Sequence, residues 1–422
     1  EDIHIINDAA WVLTNVAAVP GIIGAQAIWH HLPDMTERCR NFLFLRPPEE
    51  TSLFMECLAN IAGSGREFSA TMINNYFHVL CTRHLKTVRL SANIRKNAGF
   101  LLSNLATHMD LHTAEEVLEE IAEIPPILLT DSRINVEILW VIHKLFGICQ
   151  TLKNIHPTFI ISNTCIQNNK VSSAALHIIG DVVAGDNTLL INRFLTCGLV
   201  KSLHKMLLKS LEVKQVIWIL SNLALEDLGN KMIIETPGLL FDLLSKIRYN
   251  DDVYWVLANL ACKGDIETIG ALQHTGSGLF LLNGLRSAHQ TSVKICLEGL
   301  LNLLHKGGYV IFSSLQNNGL RDRLASLDEV HSELKNNLLL AIEGFHQNPA
   351  EPNVNPEEIP FAVEPTNAGR IAAVRLSTEL ARGTGGAGAA NVADLVFTAN
   401  DVVYLNRLGY AFRAGGKLFS VR

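Results

Sequence analysis

The chain has 422 residues, 18% of them charged and 48% hydrophobic, with 35 Lys plus Arg against 41 Asp plus Glu. This is the balance of an ordered globular protein, and at about 150 residues per domain the length predicts about three domains. A net charge of −6 excludes a general nucleic-acid coat, which needs a surplus of cations, and suits basic partners better.

The first apolar stretch, Ala9 to Pro33, contains no Asp, Glu, Lys or Arg and is long enough to cross a bilayer. It carries Asn15, Gln26, His30 and His31, is broken by Pro20, Gly21 and Gly24, and lacks a basic flank. It therefore reads as a buried helix, a turn and a second buried helix, with no membrane span. The chain opens on Glu1 rather than Met, which points to a processed or truncated chain. Eight cysteines are scattered along it, none in a C-x-x-C pair, so zinc and thioredoxin-type readings fail on spacing. Single thiols of this kind suggest an intracellular, reducing compartment.

From residue 9 onward the chain keeps returning to one helical phrase, in which an often aromatic residue is followed four positions later by a polar one, usually Asn. The clearest copies are AAWVLTN (Trp11, Asn15), VIWILSN (Trp218, Asn222) and VYWVLAN (Trp255, Asn259). Weaker copies pair Glu56 with Asn60, Phe100 with Asn104, Trp140 with Lys144, His177 with Asp181, Glu298 with Asn302 and Leu339 with Glu343. The intervals are 45, 44, 40, 37, 41, 37, 43 and 41 residues, a mean of 41. That period lies in the range of armadillo and HEAT helical repeats and replaces three domains with one array. Between phrases come two further apolar segments, as in GNKMIIETPGLLFDLLSKI, with a Gly-containing turn near Gly238 or Gly276. A unit of three helices is the armadillo pattern. The predicted fold is therefore all-α, a right-handed superhelical armadillo-repeat solenoid over residues 1–347 with a non-repeat C-terminal extension. Residues four apart share a helical face, so the Trp and Asn of each phrase project together, and on a third helix they line a concave groove.

These residues resemble the importin-α family over about Glu1 to Gln347. AAWVLTN and NIAGSGREF (Asn60 to Phe68) are similar to that family's second and third repeats, and the phrases continue through its tenth. The irregularities agree as well: Lys144 stands where the family's fifth phrase also lacks Asn, and His177 where its sixth lacks Trp. The resemblance implies an import adaptor that binds extended Lys/Arg-rich localisation signals in its groove and works with a β-type carrier. Its major site maps onto Trp11, Asn15, Asn60 and Asn104. There Glu56 and Phe100 replace Trp, and Ser64 replaces the Asp that pairs with the key lysine. Its minor site is better kept, with Trp218, Asn222, Trp255 and Asn259, and with Asp252 one turn before Trp255. Asp181 and the Ala184-Gly185-Asp186 loop add acidity near its other end. The family's basic autoinhibitory segment would lie before Glu1. The residue chemistry fits: a carboxamide can clamp both N–H and C=O of an extended peptide, and Trp faces attract Lys or Arg by cation–π contact.

Five prolines between Pro349 and Pro365 end the array, making residues 348–366 an extended linker. Residues 367–422 form a partner-binding extension. Within it RIAAVRLSTELAR (370–382) is a candidate amphipathic helix. GTGGAG formally matches a dinucleotide fingerprint but follows no strand, so a hinge is preferred. From Val402 onward Arg407, Arg413, Lys417 and Arg422 interleave with Tyr404, Tyr410, Phe412 and Phe419 and meet no acid. Acids and bases balance from Glu351 to Arg422, so the whole −6 belongs to the repeats, where a groove for basic peptides would need it.

No HExxH, P-loop or G-x-S-x-G is present, so no enzyme, cofactor, metal or small-molecule substrate is expected. Two readings stay open. One is an importin-α-like adaptor for basic peptides in cytoplasm and nucleus. The other is an architectural subunit of a large assembly, in an organelle or elsewhere, that has lost cargo binding and docks through its extension.

Overall fold

The computed structural model describes residues 3–31, 46–246 and 251–347, isolated positions between 37 and 43, and residues 412–414 and 417–419. The linker, the 370–382 helix, the GTGGAG match and nearly all of the basic aromatic arm lie outside the described residues.

The chain forms two compact units, Glu1–Ser202 and Leu203–Arg422. The first holds α1 (Ile3–Ala17), α2 (Ile23–His31), α3 (Pro48–Ser64), α4 (Arg66–Asn74), α5 (Phe77–Lys86), α6 (Ala92–Ala106) and α7 (Leu111–Ala122). After a 3-10 turn at Pro126–Thr130 come α8 (Ser132–Cys149), α9 (Pro157–Thr164), α10 (Asn169–Ala184) and α11 (Thr188–Thr196). The division falls within α12 (Leu199–Leu208). The second unit continues with α13 (Val213–Leu223), α14 (Asp227–Glu235), α15 (Leu239–Ser245), α16 (Asp252–Lys263), α17 (Ile266–His274) and α18 (Ser277–Gly284). It ends with α19 (Gln290–Gln316), α20 (Leu320–Ala325), α21 (Ser332–Gln347) and a hairpin in which Phe412–Ala414 pairs with Lys417–Phe419.

All nine phrases fall on helices, and each of those helices is the longest of its repeat. In the first unit α1, α3, α6, α8 and α10 pack side by side in that order, and in the second α13, α16, α19 and α21 do the same. The reason is a repeated apolar stripe. On α6 Ile94, Ala98, Leu101 and Leu105 are buried, and on α16 Val253, Val256 and Leu260 are buried. Polar starts set the helix boundaries: the side chains of Ser91, Asp110, Asn187 and Asp265 each accept the backbone N–H three residues on. Gly238 and Gly276 sit at the turn between first and second helices with φ of +79° and +73°, a conformation that penalises any Cβ.

Two repeats depart from the expected three helices. Pro125-Pro126 reduces the second helix before α8 to the 3-10 turn, because proline supplies no N–H to an α-helical ladder. Between α8 and α10 the first helix is replaced by the irregular residues 150–156. Gly308, at φ +59° and ψ −147°, breaks α19 where a third helix runs straight into the next repeat's first helix.

The Ala9–Pro33 stretch folds, as far as His31, into helix, turn and helix, and no helix among the described residues is long and apolar enough to cross a membrane. Both helices are only half buried. Val12 and Val16 of α1 are exposed, and Ile23 of α2 is 73% exposed, whereas the corresponding α6 positions Leu101 and Leu105 lie against neighbouring helices.

Candidate peptide-binding faces

In the first unit Trp11 is 62% exposed, and one turn on Asn15 Nδ2 donates to the Trp11 carbonyl at 2.8 Å. The next two phrase asparagines reach back to the preceding third helix instead. Asn60 Nδ2 donates to the Thr14 carbonyl at 3.4 Å and Asn104 Nδ2 to the Ala59 carbonyl at 2.8 Å. Lys144 Nζ, where the phrase lacks its Asn, donates to the Ser103 carbonyl at 2.7 Å. These contacts form a ladder in which the polar residue of one phrase ties to the carbonyl one position before its counterpart. It holds neighbouring repeats in register and leaves each Asn one N–H and its carboxamide oxygen for a ligand.

The replacements in this unit are accompanied by a change of charge. Glu56 and Phe100 are half buried, and Ser64 Oγ donates to the Asn60 carbonyl at 2.8 Å. His108 is held below the ordinary histidine range by burial, then by the nearby cations Arg66 and Lys144. Further along, the Trp140 ring meets His143 edge-on at 5.4 Å and His177 at 5.4 Å, and the two imidazoles lie 5.6 Å apart. His143 Nε2 pairs with Asp181 Oδ2 at 3.0 Å. Burial nonetheless lowers the His143 pKa, with His177 and Lys144 opposing the charge that Asp181 favours. Burial raises the Glu137 carboxyl although Lys96, Lys144 and Lys170 stand near it, and lowers Lys144 although Glu137 is close. Asp181 therefore lies in the first unit as the partner of a histidine. His143, Glu137, Lys96 and Lys170 were missed from the sequence. They stand three or four residues, or two turns, from a phrase position, and that spacing was the available signal.

In the second unit Trp218 is 43% exposed and Trp255 38% exposed, on successive third helices. Asn222 Nδ2 donates to its own Trp218 carbonyl at 3.0 Å. Asn259 Nδ2 crosses to the Ser221 carbonyl at 2.9 Å, repeating the ladder of the first unit. Ser221 is within the last turn of α13, where helical carbonyls have no intrahelical partner, so Asn259 caps that helix end. Asp252 is half buried in the first turn of α16, and its neighbour Asp251 accepts from Ser287 Oγ at 2.9 Å and Ser292 Oγ at 2.8 Å. Beneath, the hydroxyl of buried Tyr254 is pushed up to about 12 by desolvation, with Cys296 and Asp251 adding to the shift. Large indole faces left in solvent beside carboxamides can stack on extended side chains while the carboxamides hold backbone.

No family model matches the sequence, and no curated protein matches it. The crystal structure of an engineered protein from the Northeast Structural Genomics Consortium superposes on 81% of this chain and 85% of its own at a TM-score of 0.66, with 20% identity. With the 41-residue period and the three-helix units, that similarity decides the fold. It is an armadillo-like helical repeat. A designed armadillo repeat protein is similar more loosely, over 63% of this chain and 98% of its own at a TM-score of 0.40 and 18% identity. Another, in complex with the peptide (KR)4, is similar over 64% and 99% at a TM-score of 0.40 and 17% identity.

Proposed function

We propose that the chain is a non-enzymatic protein-binding scaffold that holds an extended peptide across the phrase faces of its second unit, and that this peptide is Lys/Arg-rich. The observation that carries the reading is the pair Trp218 and Trp255, exposed on successive third helices with Asn222 and Asn259 one turn on. Each indole over a Lys or Arg would contribute about 0.5–2 kcal/mol. The importin-α resemblance supports the basic character of the peptide and extends the proposal to delivery with a β-type carrier in cytoplasm and nucleus. Titration of a basic localisation peptide against the chain and a Trp255→Ala, Asn259→Ala variant tests it. Salt-sensitive binding that the variant weakens about tenfold or more is expected, and no binding at low salt refutes the reading.

A second reading, an architectural subunit that has lost cargo exchange, is favoured by the first unit, where His143 holds Asp181 and lysines surround Glu137. Its mark would be co-purification of the native protein in a fixed-stoichiometry complex that a basic peptide cannot displace.

A further inference from the structure

The phrase face of the first unit differs in charge from what a basic peptide requires. On a helical wheel at 100° per residue, Lys96 of α6, Arg133 and Lys144 of α8, and Lys170 of α10 all lie within about 60° of their phrase's first residue. That direction is the one in which Phe100, Trp140 and His177 project. Four cations from three adjacent helices thus share one face with a row of half-buried or exposed rings.

Two carboxylates beside this row, Asp181 and Asp131, are already engaged. Asp181 is bound to His143 at 3.0 Å. Asp131 accepts from the Arg133 guanidinium at 2.7 Å and 3.1 Å and from its backbone N–H at 2.9 Å. Glu137 is half buried and makes no side-chain hydrogen bond or ion pair within 4.0 Å among the described residues; Lys96, Lys144 and Lys170 act on it through their charge alone, and burial opposes its ionisation. Arg133 also reaches Asn93 Oδ1 of α6 at 3.3 Å, and Lys144 is tied to the Ser103 carbonyl. Lys96 and Lys170, in contrast, make no side-chain hydrogen bond or ion pair within 4.0 Å among the described residues, and their ammonium groups keep donors to spare. Glu56, the remaining acid near this row, lies on α3, one helix outside the strip.

We propose that the strip formed by α6, α8 and α10 holds an extended acidic segment of a partner protein, its carboxylates on Lys96 and Lys170 and its apolar side chains against Phe100, Trp140 and His177. Charge complementarity argues for the occupant: a basic peptide would meet four cations against one half-buried carboxylate, Glu137, whose charge burial disfavours, whereas an acidic one meets two ammonium groups without a hydrogen-bonded partner, about one repeat either side of Trp140. The carboxamide oxygen of Asn104, whose amide nitrogen is used by the Ala59 carbonyl, accepts a backbone N–H of the segment. This inference stands apart from the basic-peptide reading, which concerns the other unit.

The test is a titration of the full chain with a labelled octapeptide of alternating Glu and Phe, beside a basic peptide and a single-stranded RNA of equal charge. Binding of the acidic peptide that weakens with salt is expected, with hydrogen-exchange protection confined within residues 92–184. The Lys96→Glu, Lys170→Glu variant is expected to lose at least about tenfold in affinity for it, as befits charge-assisted contacts. The same variant keeps the wild-type far-ultraviolet circular dichroism and thermal midpoint, which controls for folding. No binding of the acidic peptide at low salt overturns the proposal, as do equal binding by the variant, protection elsewhere in the chain, or preference for the RNA. Failure of the basic peptide alone refutes the second-unit reading and leaves this one standing.

Discussion

Asn222 and Asn259 occupy the same place in successive phrases, yet their amides do different work, and replacing each with Ala separates structure from binding. Asn259 Nδ2 caps the Ser221 carbonyl at 2.9 Å across the repeat boundary, at a residue that is itself buried. Asn222 Nδ2 only adds a further donor to the Trp218 carbonyl within its own helix, which the Ser221 hydroxyl already reaches at 2.8 Å. Asn259→Ala therefore leaves a late helical carbonyl without its partner, at a cost of about 1–2 kcal/mol. Asn222→Ala loses a redundant contact and gains helix propensity of some tenths of a kcal/mol, for a net change near zero. For a unit of about 200 residues the difference is roughly 2–8 °C in thermal midpoint, read by calorimetry or circular dichroism. If both carboxamides also hold peptide backbone, each variant loses about two- to tenfold in affinity for the basic peptide. Equal thermal shifts for the two variants would refute the ladder as a stabilising device. Affinity loss confined to Asn259→Ala would show that Asn222 holds no ligand.

Gly284→Ala should destabilise the second unit by about 1–3 kcal/mol in denaturant unfolding, because the new Cβ would lie 2.3 Å from Cys296 Sγ and 2.8 Å from the Tyr254 ring. A midpoint equal to wild type would show that those side chains move aside. Acid should weaken the fold early. His78, His108 and His143 are all depressed by burial, so as pH falls from about 7.5 to about 5.5 the unfolded chain takes up protons that the folded chain resists. Denaturant midpoints should drop over that window, by less in His143→Gln; a flat profile would contradict the assignment. Thiol labelling of the native chain should start at exposed Cys262, while Cys57, pushed up to about 12 by burial, and fully buried Cys81 react only on unfolding. Early labelling of Cys81 would refute that burial.

The array was legible because its information is local. A helix stripe recurs at 3.6 residues, so Trp218 and Asn222, or Trp255 and Asn259, could be placed on one face without any fold. The turn glycines at 238 and 276 were legible for a similar reason, since a left-handed residue needs only its own missing Cβ. The phrase interval of 41 residues then carried the repeat count and the third-helix positions. The shortened second helix at Pro126 was within reach, because Pro125-Pro126 stands openly in the chain, but the regular period masked it.

What required tertiary structure was the fate of each polar group, since hydrogen-bond partners 38 to 46 residues apart depend on how closely adjacent third helices approach. Sequence gave no means of telling Asn259, which crosses to Ser221, from Asn222, which turns back on its own helix. Nor could a net charge of −6 locate its acids. The sequence places Asp181 at an acidic end of a peptide groove, and only the fold shows that its carboxylate pairs with His143. Periodicity along one helix determines where a side chain points; only the packing of the next helix decides what it meets there.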